Sequence, residues 1–217
     1  MLFNFAVPDE MLLPHLPTGV ELDRYQGSAY VSLVAFDFLK TKVLGVSWPG
    51  HTNFAEINLR FYVRHNGVRG VVFIREIVPQ YLTAWMARLL YNEPYVTAPI
   101  ESTCSRDRDQ INKEYNLAWH DKQVMTVVAK PDPFMPDASS REHFFKEHEW
   151  GFGSSRFGTT TVYRVEHPCW RIFPIVSAHL AFDFAAVYGP KWAKLSERTA
   201  DSVVFAEGSV IQVFSKE

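Results

Sequence analysis

The stretch FAEINLRFYVR, residues 54 to 64, decides the fold because its side chains alternate between two chemical kinds. In an extended chain, alternate side chains point to opposite faces. One row is apolar and contains Ala55, Ile57, Leu59, Phe61 and Val63. The other row contains Glu56, Asn58, Arg60, Tyr62 and Arg64. The stretch therefore predicts a strand whose polar face meets either water or a cavity.

The segments around this strand predict a sheet. HNGVRG (65–70) carries the Asn-Gly pair of a hairpin turn, so VVFIREIV (71–78) is predicted to return antiparallel. AYVSLVAFDF (29–38) is apolar on both faces until Asp37, as in a central strand, and is predicted to pair with KVLGVSW (42–48). Further short strands are predicted at 95–103, 114–119, 123–130, 158–166, 169–175, 202–207 and 209–214. Closely spaced short strands favour an antiparallel sheet or barrel over βαβ repeats.

Three helices are predicted around the sheet. PQYLTAWMARLLYN (79–92) has apolar residues at helical spacing behind its opening proline. SSREHFFKEHEW (139–150) starts with the capping-box pattern Ser139-x-x-Glu142. AHLAFDFAAVYG (178–189) is apolar nearly all round and ends at a glycine. The predicted fold class is therefore α+β, mainly β, with about three peripheral helices.

Length and composition indicate one folded domain over residues 1–217. The chain is 47% hydrophobic and has 17 Phe, 9 Tyr and 6 Trp, which excludes a disordered chain. Its 22 Lys and Arg against 24 Asp and Glu give a net charge of -2, so we expect no nucleic-acid partner. No apolar run approaches the roughly 20 residues that span a bilayer, and the N-terminus lacks the basic segment of a signal peptide. We therefore expect no membrane partner and a cytoplasmic location.

Metal and cofactor motifs are missing from the sequence. Cys104 and Cys169 are far apart and have no metal-ligand spacing, so we expect neither a disulfide framework nor a zinc site. His143, Glu147 and His148 contain no H-E-x-x-H pattern, and we expect them on a solvated helix face. The sequence therefore predicts no metal and no cofactor.

The polar row at 54–64 is the candidate site. Glu56 and Arg60 share one face with Tyr62, and an arginine beside a tyrosine hydroxyl is suited to a carboxylate. On the returning strand, Arg75 and Glu76 add one charge to each face. A solvent-facing row of this kind is common on antiparallel sheets, whereas a cavity wall would make it a binding surface. The residues alone leave both alternatives open.

Several blocks of the sequence resemble a known family. They are LPTGVELDRYQGSAYVSLVAFDF (16–38), HTNFAEINLRFYVRHNGVRGVVFIREIVP (51–79), LTAWMARLLYNEPY (82–95) and VEHPCWRIFP (165–174). These blocks are similar to the YqjF-like family of uncharacterised conserved proteins, which is placed in the acetoacetate decarboxylase-like superfamily. The resemblance implies a curved antiparallel sheet that closes into a cone-like barrel around a substrate cavity.

The resemblance also implies a missing nucleophile. By order along the chain, it places Glu56 at the pocket glutamate of the decarboxylases, and Tyr95 and Val96 where their two lysines lie. Those enzymes react through a lysine amine whose pKa is depressed in an apolar pocket. Lys130 is the one distant lysine that we keep as a candidate for that role.

Because the resemblance favours the cavity wall, two functions remain. In the first, the protein is an enzyme in which Glu56 and Arg60 are catalytic, acting on an anionic oxo-compound by lyase-type or acid/base chemistry without a Schiff base. In the second, it binds a ligand without turnover or is a filled structural protein of the same fold. The expected ligand-binding residues are Asn58, Tyr62, Arg64, Arg75 and Tyr95. The expected partner is a small anionic molecule, and the aromatic content is compatible with a homo-oligomer.

Overall fold

A computed structural model describes residues 1–39, 53–79, 95–155 and 157–210, and the backbone of residues 212–214. Within these residues the chain is mainly β with few helices, as predicted. The predicted strand at 42–48 and residues 80–92 of the first predicted helix lie outside the described residues.

The described strands form two sheets. The strands are β1 (Leu2–Val7), β2 (Glu21–Leu22), β3 (Ala29–Phe38), β4 (Phe54–His65), β5 (Val68–Val78), β6 (Tyr95–Thr97), β7 (Ile100–Arg106), β8 (Ile111–Ala118), β9 (Lys122–Ala129), β10 (Trp150–Ser154), β11 (Thr160–Glu166), β12 (Ile175–Ala181), β13 (Ser202–Val204) and β14 (Gln212–Phe214). The larger sheet has the order β13-β1-β3-β4-β5-β10-β11-β14, with β2 beside β4 and β6 beside β5. The smaller sheet has the order β12-β9-β8-β7.

The centre of the larger sheet is the hairpin of β4 and β5. Its turn is at Asn66 and Gly67, which have φ angles of 50° and 78° and so take the left-handed conformation that Asn and Gly tolerate best. A β-bulge on β5 interrupts the pairing between Leu59 and Arg60 of β4. The extra residue shifts the register for the rest of the hairpin, so that Glu76 lies opposite Asn58.

Two parallel pairings correct the expectation of an antiparallel barrel. β10 and β6 both run parallel to β5, on opposite portions of it. The approach of β10 is close, because a Cβ atom at Gly70 would lie 2.5 Å from the Trp150 carbonyl oxygen. Among the described strands the larger sheet is open, ending at β13 and β14, and neither sheet closes on itself.

The apolar row of β4 lies in the main hydrophobic core. Leu59 and Phe61 are fully buried there, in one cluster with Leu117 of β8 and Val127 of β9. The cluster therefore joins the larger sheet to the smaller one. Side chains from the C-terminal helices complete it, with Phe184, Val187, Trp192 and Leu195 all buried.

Helices are short within the described residues. They are α1 (Arg141–Lys146), α2 (Phe184–Tyr188) and α3 (Ala193–Ser196), with 3₁₀ turns at Asp9–Met11, Leu13–His15 and Pro190–Trp192. α1 begins later than predicted because Ser140, not Ser139, is its N-cap and accepts a hydrogen bond from the His143 N–H at 3.2 Å. None of these helices has the length and apolar character needed to cross a bilayer.

Two element predictions near the C-terminus were wrong. The predicted helix at 178–189 is strand as far as Ala181, because β12 pairs with β9, and only Phe184–Tyr188 is helical. The predicted strand at 169–175 is an irregular connection in which Ile172 makes isolated bridges. Prolines bracket this connection at 168 and 174, and proline lacks the N–H that a strand ladder needs.

Candidate functional site

The polar row of β4 is buried. Glu56 is 3% exposed, Asn58 and Tyr62 are each 1% exposed, and Arg60 is half-buried. Both faces of this strand are therefore covered, and the row does not form a solvent-facing sheet surface. Buried charged and polar groups are rare unless they are paired, so the partners of each member need to be identified.

The Glu56 carboxyl is at the centre of one hydrogen-bonded group. Asn58 Nδ2 donates to its Oε1 at 2.9 Å, and the Tyr95 hydroxyl donates to its Oε2 at 3.4 Å. Burial raises the pKa of Glu56 to about 7, against the opposing effects of these two hydrogen bonds and of the Arg60 charge. Glu56 can therefore gain and lose a proton near neutral pH.

Tyr95 links Glu56 to a second buried carboxyl. It lies beside Glu76 in the parallel pairing of β6 with β5, and Glu76 is only 2% exposed. Burial raises the pKa of the Tyr95 phenol well above 10, and the charges of Glu56 and Glu76 raise it further. The phenol is therefore neutral and remains a hydrogen-bond donor to the carboxyl groups beside it.

Arg60 lies further along the row. Its Nη2 donates to the Phe145 carbonyl oxygen of α1 at 3.2 Å. Its Nε is buried and has no hydrogen-bond partner among the described residues, and the same is true of Asn58 Oδ1. Two neighbouring positions of the row therefore carry unpaired polar atoms, one a donor and the other an acceptor.

Tyr62 anchors the row beneath α1. Its hydroxyl lies 2.5 Å from Ser32 Oγ and donates to the Phe145 carbonyl oxygen at 3.3 Å. Ser32 Oγ in turn donates to Asn4 Oδ1 at 2.5 Å. The Tyr62 ring packs against Phe144 and Phe145, with ring centroids 5.2 and 5.4 Å away. This half of the row is satisfied by the protein itself.

Arg64 and Arg75 do not join the buried group. Arg64 is at the outer end of the strand, where its Nε bonds Asp23 at 2.8 Å and its side chain is 41% exposed. Arg75 lies on the face of the sheet opposite to the polar row, because the β-bulge shifts the register by one residue and pairs Arg75 with Leu59. There it donates to the Val187 carbonyl oxygen of α2. The structure therefore brings together Glu56, Asn58, Arg60, Tyr62 and Tyr95 and leaves both of these arginines elsewhere.

The prediction that His148 lies on a solvated helix face was wrong, because its side chain is buried beside Tyr62. Its ring lies 4.9 Å from the Tyr62 ring, and its Nε2 is 3.4 Å from Arg69 Nη2. Burial lowers the pKa of His148 well below its usual value, and the charges of Arg60 and Arg69 lower it further. Its buried Nδ1 has no hydrogen-bond partner on any residue that the structure describes. The imidazole is therefore neutral, and it adds a third unpaired polar atom.

Neither Lys113 nor Lys130 belongs to this hydrogen-bonded group. Lys130, the distant candidate, is exposed just after β9. Lys113 is buried in β8, where its Nζ bonds Asp37 at 2.5 Å and Ser102 at 2.6 Å. In the part of the chain that the structure describes, no three His, Cys, Asp or Glu side chains are grouped so that they could hold a metal ion.

Sequence comparison identifies relatives without an assigned activity. The family model DUF2071, described as an uncharacterized conserved protein, matches residues 1–210. The uncharacterized protein YqjF of Bacillus subtilis (strain 168) is 30% identical over 150 residues, which cover 66% of this chain. The same match spans 60% of the length of that relative.

Structure comparison identifies the fold. Acetoacetate decarboxylase from Legionella pneumophila (subsp. pneumophila str. Philadelphia 1) has a TM-score of 0.56 at 14% identity, covering 99% of this chain and 79% of that one. The enduracididine biosynthesis enzyme MppR complexed with pyruvate has a TM-score of 0.59 at 14% identity, covering 83% and 73%. An acetoacetate decarboxylase-like enzyme from Sphingomonas wittichii RW1 has a TM-score of 0.57 at 12% identity, covering 82% and 76%. At such low identity these likenesses show a shared fold.

Proposed function

The chain belongs to DUF2071, a family of uncharacterized conserved proteins, and on that premise we propose that its buried polar row is a small-molecule site. In this proposal Glu56 and Arg60 bind and act on an anionic oxo-compound, with Asn58 and Tyr95 as further contacts. The observation that carries the proposal is a buried carboxyl with a pKa of about 7, in the same row as two buried polar atoms that have no partner in the described part of the chain.

Each residue has a distinct part in this proposal. The protonated Glu56 carboxyl donates a hydrogen bond to the carbonyl oxygen of the ligand, and it can transfer that proton because its pKa is about 7. Arg60 offers its unpaired Nε to the ligand carboxylate. Tyr95 remains a neutral phenol and holds Glu56 in place through its hydroxyl. This is acid/base chemistry that needs no covalent intermediate.

The fold supports the choice of ligand class. Proteins with this fold include acetoacetate decarboxylases and an enzyme described in complex with pyruvate, and both names refer to oxo-acids. The family resemblance places Tyr95 where a decarboxylase has a lysine, and a phenol cannot form a Schiff base. We therefore propose an oxo-acid ligand and a reaction that proceeds without a lysine adduct.

A second candidate function is a binding or structural protein without catalysis. The observation in its favour is that α1 already satisfies one half of the row, because the Phe145 carbonyl oxygen accepts from both Arg60 and Tyr62. If the protein itself also supplies hydrogen-bond partners to the half of the row around Glu56, the row is a buried hydrogen-bonded network with no space for a ligand. A buried network of this kind stabilises a fold only weakly.

Ligand binding tests the two candidates together. Thermal shift with pyruvate, acetoacetate and other 2-oxo and 3-oxo acids is measured on wild type, Glu56→Gln, Arg60→Met and the surface control Arg171→Met. We expect one or more acids to stabilise wild type and Arg171→Met but not Arg60→Met. Turnover lost in Glu56→Gln supports the enzyme, and binding without turnover supports the second candidate. No stabilisation by any acid would refute the oxo-acid site.

Borohydride trapping tests the absence of a Schiff base. Wild-type protein is incubated with sodium borohydride and pyruvate or acetoacetate, and its intact mass is measured. We expect the mass to stay unchanged. A stable adduct mapped to a lysine would overturn the proposed non-covalent chemistry.

A further inference from the structure

The His148 imidazole is held in place by side chains of β4 and β5. Its Nε2 lies 3.4 Å from Arg69 Nη2, and Arg69 Nε is bonded to Asp23 at 2.6 Å. The ring also packs against the Tyr62 ring, with a centroid distance of 4.9 Å. His148 itself lies between α1 and β10, so the larger sheet fixes the position of a ring that comes from a distant part of the chain.

The contact with Arg69 determines which ring nitrogen of His148 carries the proton. A guanidinium can only donate hydrogen bonds, so Nε2 accepts from Arg69 with its lone pair. Burial and the charges of Arg60 and Arg69 lower the pKa of His148, so the ring is neutral and has a single N–H proton. That proton is therefore on Nδ1, which points away from Arg69. Nδ1 is buried, and no described residue accepts a hydrogen bond from it.

Arg60 lies close to the same ring. Its Nη2 and the Tyr62 hydroxyl both donate to the Phe145 carbonyl oxygen, at 3.2 and 3.3 Å, so Arg60 and His148 are both held beside Tyr62. The Arg60 charge also lowers the pKa of His148 more than the Arg69 charge does. Arg60 Nε is a second buried donor without an acceptor in the described ranges. Two unused N–H donors, one on a cation and one on a neutral ring, therefore lie in the same part of the row.

We propose that His148 is a further ligand-binding residue of the oxo-acid site and donates from Nδ1 to the ligand carboxylate beside Arg60 Nε. This inference rests on the proposed function, because it needs an anionic ligand at the polar row. A carboxylate has two oxygens that accept hydrogen bonds, so one oxygen can bind each donor. A neutral N–H suits this place, because a second buried positive charge beside Arg60 would be unfavourable. Arg69 is a positioning residue, since it acts on the ligand only through the tautomer of His148.

NMR measures the tautomer. Long-range ¹H–¹⁵N spectra are recorded on the full chain with ¹⁵N-labelled histidines, and the His148 signals are identified by their loss in His148→Asn. We expect the wild-type proton on Nδ1 and, in Arg69→Met, a mixture of both tautomers. Arg64→Met is the matched control, because Arg64 bonds the same Asp23 carboxylate at 2.8 Å, and it is expected to keep the wild-type tautomer. A proton on Nε2 in wild type, or an equal change in both arginine variants, would overturn the proposal.

Affinity measurements test the contact with the ligand. Dissociation constants for pyruvate and acetoacetate are measured by calorimetry on wild type, His148→Leu, His148→Asn and the control His143→Leu, which changes a histidine of α1 itself. Loss of one hydrogen bond to a charged group is expected to weaken binding about tenfold or more in His148→Leu. Asparagine keeps an N–H donor near the position of Nδ1, so His148→Asn is expected to recover most of the affinity. His143→Leu is expected to bind like wild type.

The outcomes separate this inference from the proposed site. Equal affinities in wild type and His148→Leu would overturn the role of His148 and leave the site standing, whereas no binding of either acid to wild type would refute both. The wild-type protein provides a further measurement that no substitution can disturb. The ¹⁵N resonance of His148 Nδ1 is expected to shift when the acid binds, and an unchanged resonance in the saturated complex would overturn the proposed contact.

Discussion

Replacing Glu56 with glutamine is expected to make the stability of the protein less dependent on pH. Burial raises the pKa of Glu56 in the folded protein from 4.5 to about 7. Between these values the folded protein holds a proton that the unfolded chain has released, so stability falls as pH rises. The stability associated with the neutral carboxyl is complete below about pH 4.5 and has been lost above about pH 7.

The size of the effect follows from the two pKa values. A difference of about 2.5 between them corresponds to about 3 kcal/mol of unfolding free energy. For a chain of 217 residues, this free energy changes the Tm by roughly 5–10 °C. Glutamine keeps an acceptor for Asn58 Nδ2 at this position but has no proton to release. The advantage of Glu56→Gln over wild type is therefore expected to grow with pH.

Thermal unfolding followed by circular dichroism measures this difference from about pH 4.5 to about pH 8. The exposed carboxyl of Glu10 provides the matched control, and Glu10→Gln is expected to follow wild type throughout. The Tm of Glu56→Gln relative to wild type is expected to rise by roughly 5–10 °C across the range. A difference that stays constant with pH would show that the folded protein does not hold this proton, and the argument for acid/base chemistry at Glu56 would fail.

Two further substitutions test the scaffold around the row. Gly70→Ala places a methyl group 2.5 Å from the Trp150 carbonyl oxygen, so we expect a loss of about 1–3 kcal/mol in urea unfolding; an unchanged midpoint would contradict the close approach of β10. Asp23→Asn removes the carboxylate that Arg64 and Arg69 share at 2.8 and 2.6 Å. Because both arginines are partly exposed, we expect a loss of only about 1–2 kcal/mol, decreasing with added salt; a loss that salt does not change would contradict an electrostatic cause.

Local patterns in the sequence were sufficient to predict the centre of the sheet. The alternation at 54–64 and the Asn66-Gly67 pair predicted β4, the turn and β5, and all three are present. The one extra residue of the β-bulge on β5 then changed which side chain lies beside the polar row. A continuous hairpin register would place Arg75 opposite Asn58, but the bulge puts Glu76 there instead. A shift of one residue moves every following side chain to the other face, and the sequence has no clear signal for that bulge.

The covering of the row by α1 depends on contacts between distant parts of the chain. The Phe145 carbonyl oxygen lies 85 residues from Arg60 in sequence, and the His148 ring reaches Tyr62 from the same region. The helical pattern at 139–150 predicted a helix with a solvated face, since periodicity shows which side chains align but not what packs on them. The burial of His148 is therefore a tertiary effect, and only the structure could identify it.

The unpaired atoms of the row argue for a role beyond stability. Asn58 Oδ1 and Arg60 Nε have no hydrogen-bond partner within residues 1–39, 53–79, 95–155 and 157–210, and a buried polar atom left unpaired costs about 1–3 kcal/mol. Apolar residues of similar volume would often stabilise the fold as well or better, as they do on the opposite face of β4. We infer that a ligand supplies the missing bonds. In the proposed complex, Arg60 Nε donates to the ligand carboxylate, and Glu56 is positioned to exchange a proton with the ligand carbonyl oxygen.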